Sequence, residues 1–275
     1  MTGRIGLIAG NGALPRLFAR AARGRGLSVI AVGHMGETDP ELASEVDRLE
    51  WVKVGQVARI ERLLKAAGVD QAVLAGGFSR MRAVQTMRPD IGLFRIAGRL
   101  RSFRDDALLR AAADEFESAG IRIMAPTELL REILAPEGHL AGPLLDAGQE
   151  RDVALGEEVA TLLGRADVGQ TVVVKNGHVL AVEAVEGTDA CIRRGAELGG
   201  PGVVVVKLSK PGQDERFDLP AVGPATLEVL RSVGARVLAV EAGKTLLLEG
   251  DRLVALANEG GITLVAHSGA SLAPR

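Results

Sequence analysis

Arg4-Ile5-Gly6-Leu7-Ile8-Ala9-Gly10-Asn11-Gly12-Ala13-Leu14-Pro15, continued by RLFARAARGRGLSVIAV over residues 16–32, is the stretch whose reading decides the fold. Arg4 to Ala9 reads as a buried strand, Leu14 to Arg23 as a helix with apolar residues at helical spacing, and Leu27 to Val32 as a second strand. Strand, helix and strand in that order form a βαβ unit, whose crossover makes the strands parallel. The pattern continues with a helix over Val57 to Ala67, a strand over Gln71 to Ala75, a long helix over Asp105 to Ser118 and a short strand at Ile121 to Met124.

Composition agrees with this reading. The 275 residues are 47% hydrophobic, contain 35 glycines and no tyrosine, and are only 3% aromatic, which suits aliphatic layers joined by tight turns. Lys+Arg 33 against Asp+Glu 35 excludes a generally basic face for nucleic acid. One cysteine, Cys191, cannot form an intrachain disulfide and is expected as a buried thiol. No signal peptide and no uninterrupted apolar run of membrane-spanning length are seen, so a cytoplasmic protein is expected.

The segment APEGHLAGPLLDAG, Ala135 to Gly148, interrupts the periodicity with prolines and glycines and reads as a linker. The expected organisation is α/β: an N-terminal Rossmann-like α/β domain over 1–134, a Pro/Gly-rich linker over 135–148, and a C-terminal α/β catalytic domain over 149–275, with the ligand in the interdomain cleft. In the second domain we expect a helix over Asp152 to Leu163, strands Thr171 to Lys175 and Val179 to Ala184 joined by an Asn176-Gly177 hairpin, and a helix over Asp189 to Glu197. A strand over Val203 to Leu208 and a helix over Ala225 to Ser232 follow, with short elements up to Leu264. VLAVEA occurs twice, ending at Ala184 and Ala242; nothing around the copies matches, so it is read as coincidence.

Several segments have the residue types that chemistry needs. Gly10-Asn11-Gly12 after the first strand, and Gly76-Gly77 after the strand ending at Ala75, are turns that either bring backbone amides to a phosphate or simply connect strand to helix. Two such turns at carboxyl ends of parallel strands would line one crevice. The fingerprint GxGxxG lacks its third glycine, which counts against a nicotinamide enzyme. Arg80, Arg82, Arg88, Arg95, Arg99, Arg101 and Arg104 alternate with apolar residues from Met81 to Leu100 and are opposed by Asp90. Such a segment can contact an anionic membrane or an acyl chain, or can be a helix with a solvated basic face. Asp105 and Asp106 cap a helix or face the crevice. Thr188 or Asp189 is placed to cap the next helix, and the acids around Glu186 could hold a divalent cation. The loop from Lys207 to Pro220 gathers lysines, an arginine and acids between regular elements. Gly243-Lys244-Thr245 resembles the end of a P-loop without its helix, and the four histidines are expected at surface turns.

With these residues in view, the chain resembles the LpxI-type UDP-2,3-diacylglucosamine diphosphatase family of lipid A biosynthesis. The resemblance rests on GLIAGNGALP (Gly6 to Pro15), AGGFSR (Ala75 to Arg80), DDALLR (Asp105 to Arg110), AVEAVEGTDA (Ala181 to Ala190) and KPGQDERFDLPAVG (Lys210 to Gly223). It implies hydrolysis of the pyrophosphate bond of UDP-2,3-diacylglucosamine to UMP and 2,3-diacylglucosamine 1-phosphate, with Mg2+ as cofactor. Asp218, in the RxDLPxxG element, is the implied catalytic acid and metal ligand, with Asp214 and Glu186 as further metal candidates. The substrate-binding candidates are Gly10, Asn11, Gly12, Gly76, Gly77, Arg80, Asp105, Asp106, Thr188 and Lys210. Expected partners are the diacylated UDP-sugar and its lipid product, the inner membrane as a peripheral surface, and a second copy of the chain in a homodimer. A different class stays open: a nucleotide-sugar or lipid-binding module without catalysis.

Overall fold

The computed structural model describes residues 3–79, 87–99, 105–212, 214–217 and 219–268, without the side chains of residues 99 and 105–107. They form two compact units, one made of residues 3–131 with 214–217, the other of 132–212 with 219–268.

The first unit carries strands β1 (Arg4–Ala9), β2 (Ser28–His34), β3 (Arg48–Val52), β4 (Gln71–Ala75) and β5 (Arg122–Met124), all parallel, in the order β3-β2-β1-β4-β5. Helices α1 (Leu14–Gly24), α2 (Val57–Ala66), α3 (Ile91–Arg99) and α4 (Asp105–Ser118) are the crossovers among the described residues. The chain runs outward from β1 through β2 to β3 and then returns to place β4 on the other side of β1. The carboxyl ends of β1 and β4 therefore flank the point where the winding reverses. Sequence reading finds β1, β4 and α4 at these limits and misses β3, whose RLEWV has a half-exposed face and a buried Val52. Ile8, Val32, Ile60, Leu64, Phe116 and Ile123 share one core cluster. Full burial of such a side chain stabilises by about 1.5–3 kcal/mol relative to exposure.

Asp90, the acid opposing the arginine run, has a specific local task. Its carboxylate accepts from the amides of Ala58 (3.2 Å) and Arg59 (3.1 Å) at the start of α2, and of Gly92 (2.9 Å) and Leu93 (3.3 Å) at the start of α3. One side chain thus satisfies first-turn donors of two helices.

The second unit holds a mixed sheet in the order β6-β13-β11-β9-β7-β8, made of β6 (Gly138–Ala141), β7 (Thr171–Lys175), β8 (His178–Val182), β9 (Val204–Lys207), β11 (Val237–Glu241) and β13 (Thr263–His267). A separate parallel pair joins β10 (Ala221–Val222) to β12 (Leu246–Leu247). Its helices are α5 (Ala147–Arg165), α6 (Thr188–Gly199), α7 (Pro224–Ser232) and α8 (Gly250–Gly260). Alternation along the strands serves two faces. Val173 and Val205 belong to a cluster with Ile192, Leu230 and Leu264, whereas Val172, Val174, Val204 and Val206 pack with Val153 and Val265. At the Asn176-Gly177 hairpin both residues have positive φ, 51° and 77°. The buried Asp152 carboxylate of α5 accepts both turn amides, at 2.8 and 2.6 Å.

The proposed linker requires correction. Residues 135–148 contain β6, which pairs antiparallel with β13, and the second unit already begins at residue 132. Glycine and proline here bound an edge strand: Gly142 adopts φ 77°, and a Cβ on it would stand 2.1 Å from the Ile262 carbonyl oxygen. Helix α5 also starts earlier than expected, because Asp146 and Gln149 form a capping box. Among the described residues, no helix is long and apolar enough to cross a membrane.

Candidate functional site

In the first unit the two glycine turns meet. Asn11 donates its amide to the Gly77 carbonyl (2.8 Å) and accepts from the Gly77 amide (3.2 Å), while the Gly10 amide donates to Ala75 O (2.8 Å). Backbones can come this close only without side chains. A Cβ at Gly10 would lie 2.3 Å from Gly77 O, and one at Gly76, whose φ is 89°, would lie 2.3 Å from Asn11 O. The amides of Gly10, Asn11 and Gly77 are thus engaged in joining the two segments. Helix α1 follows directly, with Ala13 at its N-cap supplying no side-chain bond and Pro15 in its first turn.

Sequence reading missed the carboxylate beneath this pair of turns. Buried Glu37 accepts from Asn11 Nδ2 (2.8 Å) and from the Ser79 amide (3.1 Å), so one oxygen ties the first turn to the second. His34, expected at the surface, is only 4% exposed. Its Nδ1 donates to Ala9 O at 2.9 Å, and its ring meets Phe78 edge-on at 4.8 Å. Burial, its largest influence, holds the imidazole below its ordinary pKa and thus neutral, with the Ala9 carbonyl and then Glu37 acting the other way. The only sequence signal for His34 was its place at the end of β2, level with Gly10.

Helix α3 confirms the interleaving of basic and apolar residues in its described part. Ile96 is buried, Arg95 pairs with Glu115 at 2.6 Å, and Ile91 and Phe94 stand exposed. Arg80, together with most of the remaining basic segment, lies outside the described residues. Asp105 and Asp106 open α4, and their side chains lie outside the description.

The segment 214–217 belongs to the first unit. Arg216 donates to the Asp214 carboxylate through Nε (3.0 Å) and Nη2 (2.8 Å), and to Glu117 through Nη1 (2.9 Å). Its guanidinium lies 4.9 Å above the Phe217 ring, which packs on the first unit's core. The hydrogen bond from the Arg216 side chain is the largest cause holding Asp214 below the usual carboxylate range. Glu186, in the second unit, accepts from the Ala184 amide (3.1 Å) and from Arg194 (2.5 Å) and is likewise lowered, chiefly by its own backbone amide and then by Arg194. Both metal candidates are thus paired with a guanidinium in the structure. Among the described residues no group of three His, Cys, Asp or Glu side chains could hold a metal ion. Asp218 lies outside the described residues.

In the second unit, β8, β9, β11 and β13 run in one direction, so their carboxyl ends lie on one sheet edge where the antiparallel β7 begins. That edge collects Glu183, Lys207, Glu241, His267 and Thr171. Both VLAVEA copies thus deliver a buried glutamate there, Glu183 from the outermost strand and Glu241 from a central one. Glu241 binds the Ser209 amide (2.9 Å) and hydroxyl, and pairs with Lys244 (2.6 Å). His267 Nδ1 donates to Glu157 at 2.8 Å. Lys210 pairs with Asp167 at 2.9 Å. Thr188 is not the cap of α6, since Gly187 holds that position without a side-chain bond. Its hydroxyl donates to Glu183 Oε1 (3.2 Å) and accepts from Lys207 Nζ (3.3 Å), so it is engaged within the unit. β12 follows Gly243-Lys244-Thr245 where a P-loop would need a helix.

Two family models match the chain: the LpxI N-terminal domain over residues 4–133 and the LpxI C-terminal domain over residues 136–265. UDP-2,3-diacylglucosamine pyrophosphatase LpxI of Caulobacter vibrioides is 35% identical over 273 residues, which cover 94% of this chain and 95% of that protein. Among solved structures, N5-carboxyaminoimidazole ribonucleotide synthetase from Thermotoga maritima is 15% identical with a TM-score of 0.28, covering 67% of this chain and 42% of that one. The biotin carboxylase subunit of pyruvate carboxylase is 15% identical with a TM-score of 0.26, covering 63% and 35%. This chain spans less than half of either structure.

Proposed function

Because the chain belongs to the LpxI family, we propose that it hydrolyses the pyrophosphate bond of UDP-2,3-diacylglucosamine in lipid A biosynthesis. Water adds across the phosphoanhydride to give UMP and 2,3-diacylglucosamine 1-phosphate. The observation that carries this reading is the match of both family domains, in order, along a chain that is 35% identical to a pyrophosphatase over 94% of its length.

Phosphoanhydride cleavage needs the charge of the phosphates offset and a water held in line with the bond that breaks. We assign the diphosphate and sugar to the joined turns of the first unit, beside Gly12 and the start of α1. Arg80 and Lys210 are assigned to phosphate oxygens, the latter by exchanging Asp167 for the substrate. Asp218 is the proposed catalytic acid, orienting the attacking water. Mg2+ is the proposed cofactor; Asp218 would hold it, and a divalent cation would offset phosphate charge and lower the pKa of bound water. Glu186 and Asp214 are the further candidates for its shell, each of which would have to exchange its arginine partner for the cation. Exposed Ile91 and Phe94 of α3 are proposed to meet the acyl chains or the inner-membrane surface. Exposed Val185 and Leu198 of the second unit are offered to a second copy in a homodimer. A cytoplasmic setting supplies UDP-linked substrate to such a site.

The test is release of UMP from UDP-2,3-diacylglucosamine by the purified protein, with Mg2+ or with excess chelator, for the wild type and Asp218→Asn. Mg2+-dependent UMP release by the wild type and its collapse in the variant are expected. No UMP from the wild type, with the substrate bound, would establish the non-catalytic module instead. Undiminished release in chelator removes Mg2+ from the account, and near-normal turnover by the variant removes Asp218.

A further inference from the structure

Glu37 is only 7% exposed and sits in the turn that follows β2. Backbone bonds close that turn tightly. The His34 carbonyl accepts from the amides of Glu37 (3.0 Å) and Thr38 (2.9 Å), and Gly36 takes φ 81° between them. Thr38 then locks the turn onto the end of β1: its hydroxyl donates to Ala9 O at 2.6 Å and accepts from the His34 amide at 2.8 Å. His34 Nδ1 reaches the same Ala9 carbonyl at 2.9 Å.

The Glu37 carboxylate is therefore aimed from a rigid support. Its Oε2 accepts from Asn11 Nδ2 at 2.8 Å and from the Ser79 amide at 3.1 Å. Asn11 lies in the turn after β1 and Ser79 in the segment after β4, so the ends of β1, β2 and β4 are gathered on one oxygen. These are the three central strands of the order β3-β2-β1-β4-β5, at the place where the winding reverses and open α/β sheets take their ligands. An acid after the second strand of such a sheet commonly reaches a ribose hydroxyl. Burial and two protein donors give Glu37 a different task. Hydrogen bonds to an ionised acceptor are roughly twice as strong as neutral ones, so a carboxylate grips the two segments firmly. Without it both donors, each part-buried, lose an acceptor, and only the backbone pairing of Asn11 with Gly77 still joins the turns.

We propose that Glu37 is a positioning residue for the hydrolysis: from the turn after β2 it holds the Asn11 turn and the Ser79 segment at the separation the substrate requires, without touching substrate itself. This rests on the reading that the joined turns receive the diphosphate and sugar. Misplacing a group that holds the substrate by about 1 Å costs on the order of 100-fold in rate.

The experiment measures kcat/KM for UMP release from UDP-2,3-diacylglucosamine by wild type, Glu37→Met, Glu37→Gln, Asn11→Asp, Asn11→Asp combined with Glu37→Gln, and Gly76→Ala. Melting temperatures show whether each variant is folded at the assay temperature. Glu37→Met, which keeps the reach of the side chain and removes the acceptor, should lose about 100-fold. Glu37→Gln keeps an oxygen for both donors and should stay within about fivefold of wild type. Asn11→Asp sets a second carboxylate against Glu37 and should lose activity too. Adding Glu37→Gln, whose amide can donate to that carboxylate, should recover about tenfold or more. Activity of Glu37→Met near wild type overturns the proposal. So does Glu37→Gln as poor as Glu37→Met, which would make charge rather than an acceptor the requirement, or a combined variant no better than Asn11→Asp alone. If Glu37→Met fails to fold, the Asn11→Asp pair decides. The parent reading fails separately, through absent UMP release by the wild type or through wild-type kcat/KM in Gly76→Ala, where the backbone itself forces the turns apart.

Discussion

The carbonyl oxygen of Asn11 lies 2.3 Å from the position a Cβ on Gly76 would occupy, and the Gly76 backbone has φ 89°. Both facts forbid a side chain at the point where β4 hands over to its turn. Gly76→Ala is therefore expected to cost about 1–3 kcal/mol from the unfavourable φ alone. Thermal melting should show a drop of roughly 2–10 °C. Since the clash also forces the two turns apart, turnover should fall further than stability explains. An unchanged melting temperature would mean that the turns adapt freely.

His34 is held below its ordinary pKa by burial, so the unfolded chain binds its proton more readily than the folded one. Its contribution to stability is complete above the unfolded value of about 6.5 and is lost as pH falls below it. Urea midpoints measured from pH 8 to pH 5 should decline on the acid side, less steeply in His34→Asn, which gains no proton. A proton NMR titration of His34 with its midpoint at or above 6.5 would contradict its burial.

The Cys191 thiol is fully buried and pushed up to about 12, chiefly by its loss of solvation. Only the thiolate attacks disulfide reagents, so labelling of the native protein should be very slow. In urea the same thiol should react completely, with a rate that follows unfolding. Prompt labelling without denaturant would show that the core around Ile192 and Val173 opens readily.

Arg216 holds Asp214 below the usual carboxylate range, mainly by the hydrogen bond of its side chain. That stabilisation is present above the unfolded carboxyl value of about 4 and is lost as pH falls through the depressed folded value. Partly exposed pairs of this kind are worth about 1 kcal/mol or less. Arg216→Met should lower the urea midpoint slightly at pH 7, and the gap to wild type should close on acidification. A gap independent of pH would assign the effect to stacking on Phe217 instead.

Regular elements were legible wherever one period dominated. The buried run Ile5 to Ala9, the valine run Val172 to Val174, and the hairpin at Asn176-Gly177 each carry a local physical signature, and β1 and β7 stand at the expected limits. β3 escaped because Arg48, Leu49, Glu50 and Trp51 are only partly covered and show no clean alternation. Residues 138–141 escaped because glycine and proline look alike whether they bound a strand or fill a loop. What the glycine turns and Thr188 bond to was not legible: the Asn11 and Gly77 amides serve each other, the Gly10 amide serves Ala75 O, and Thr188 bonds Glu183 and Lys207.

Sequence alone determined the βαβ start, the family resemblance and the acidic, basic and glycine-rich segments, because each is written in neighbouring residues whose spacing has a local cause. Only the tertiary structure decided that Glu37 clasps Asn11 and Ser79, that His34 is buried, and that Glu183, Thr188 and Lys207 line up at one sheet edge. Those relationships join residues far apart in the chain. They arise from strand order and direction, which no local pattern encodes, and burial then makes each polar group find a partner.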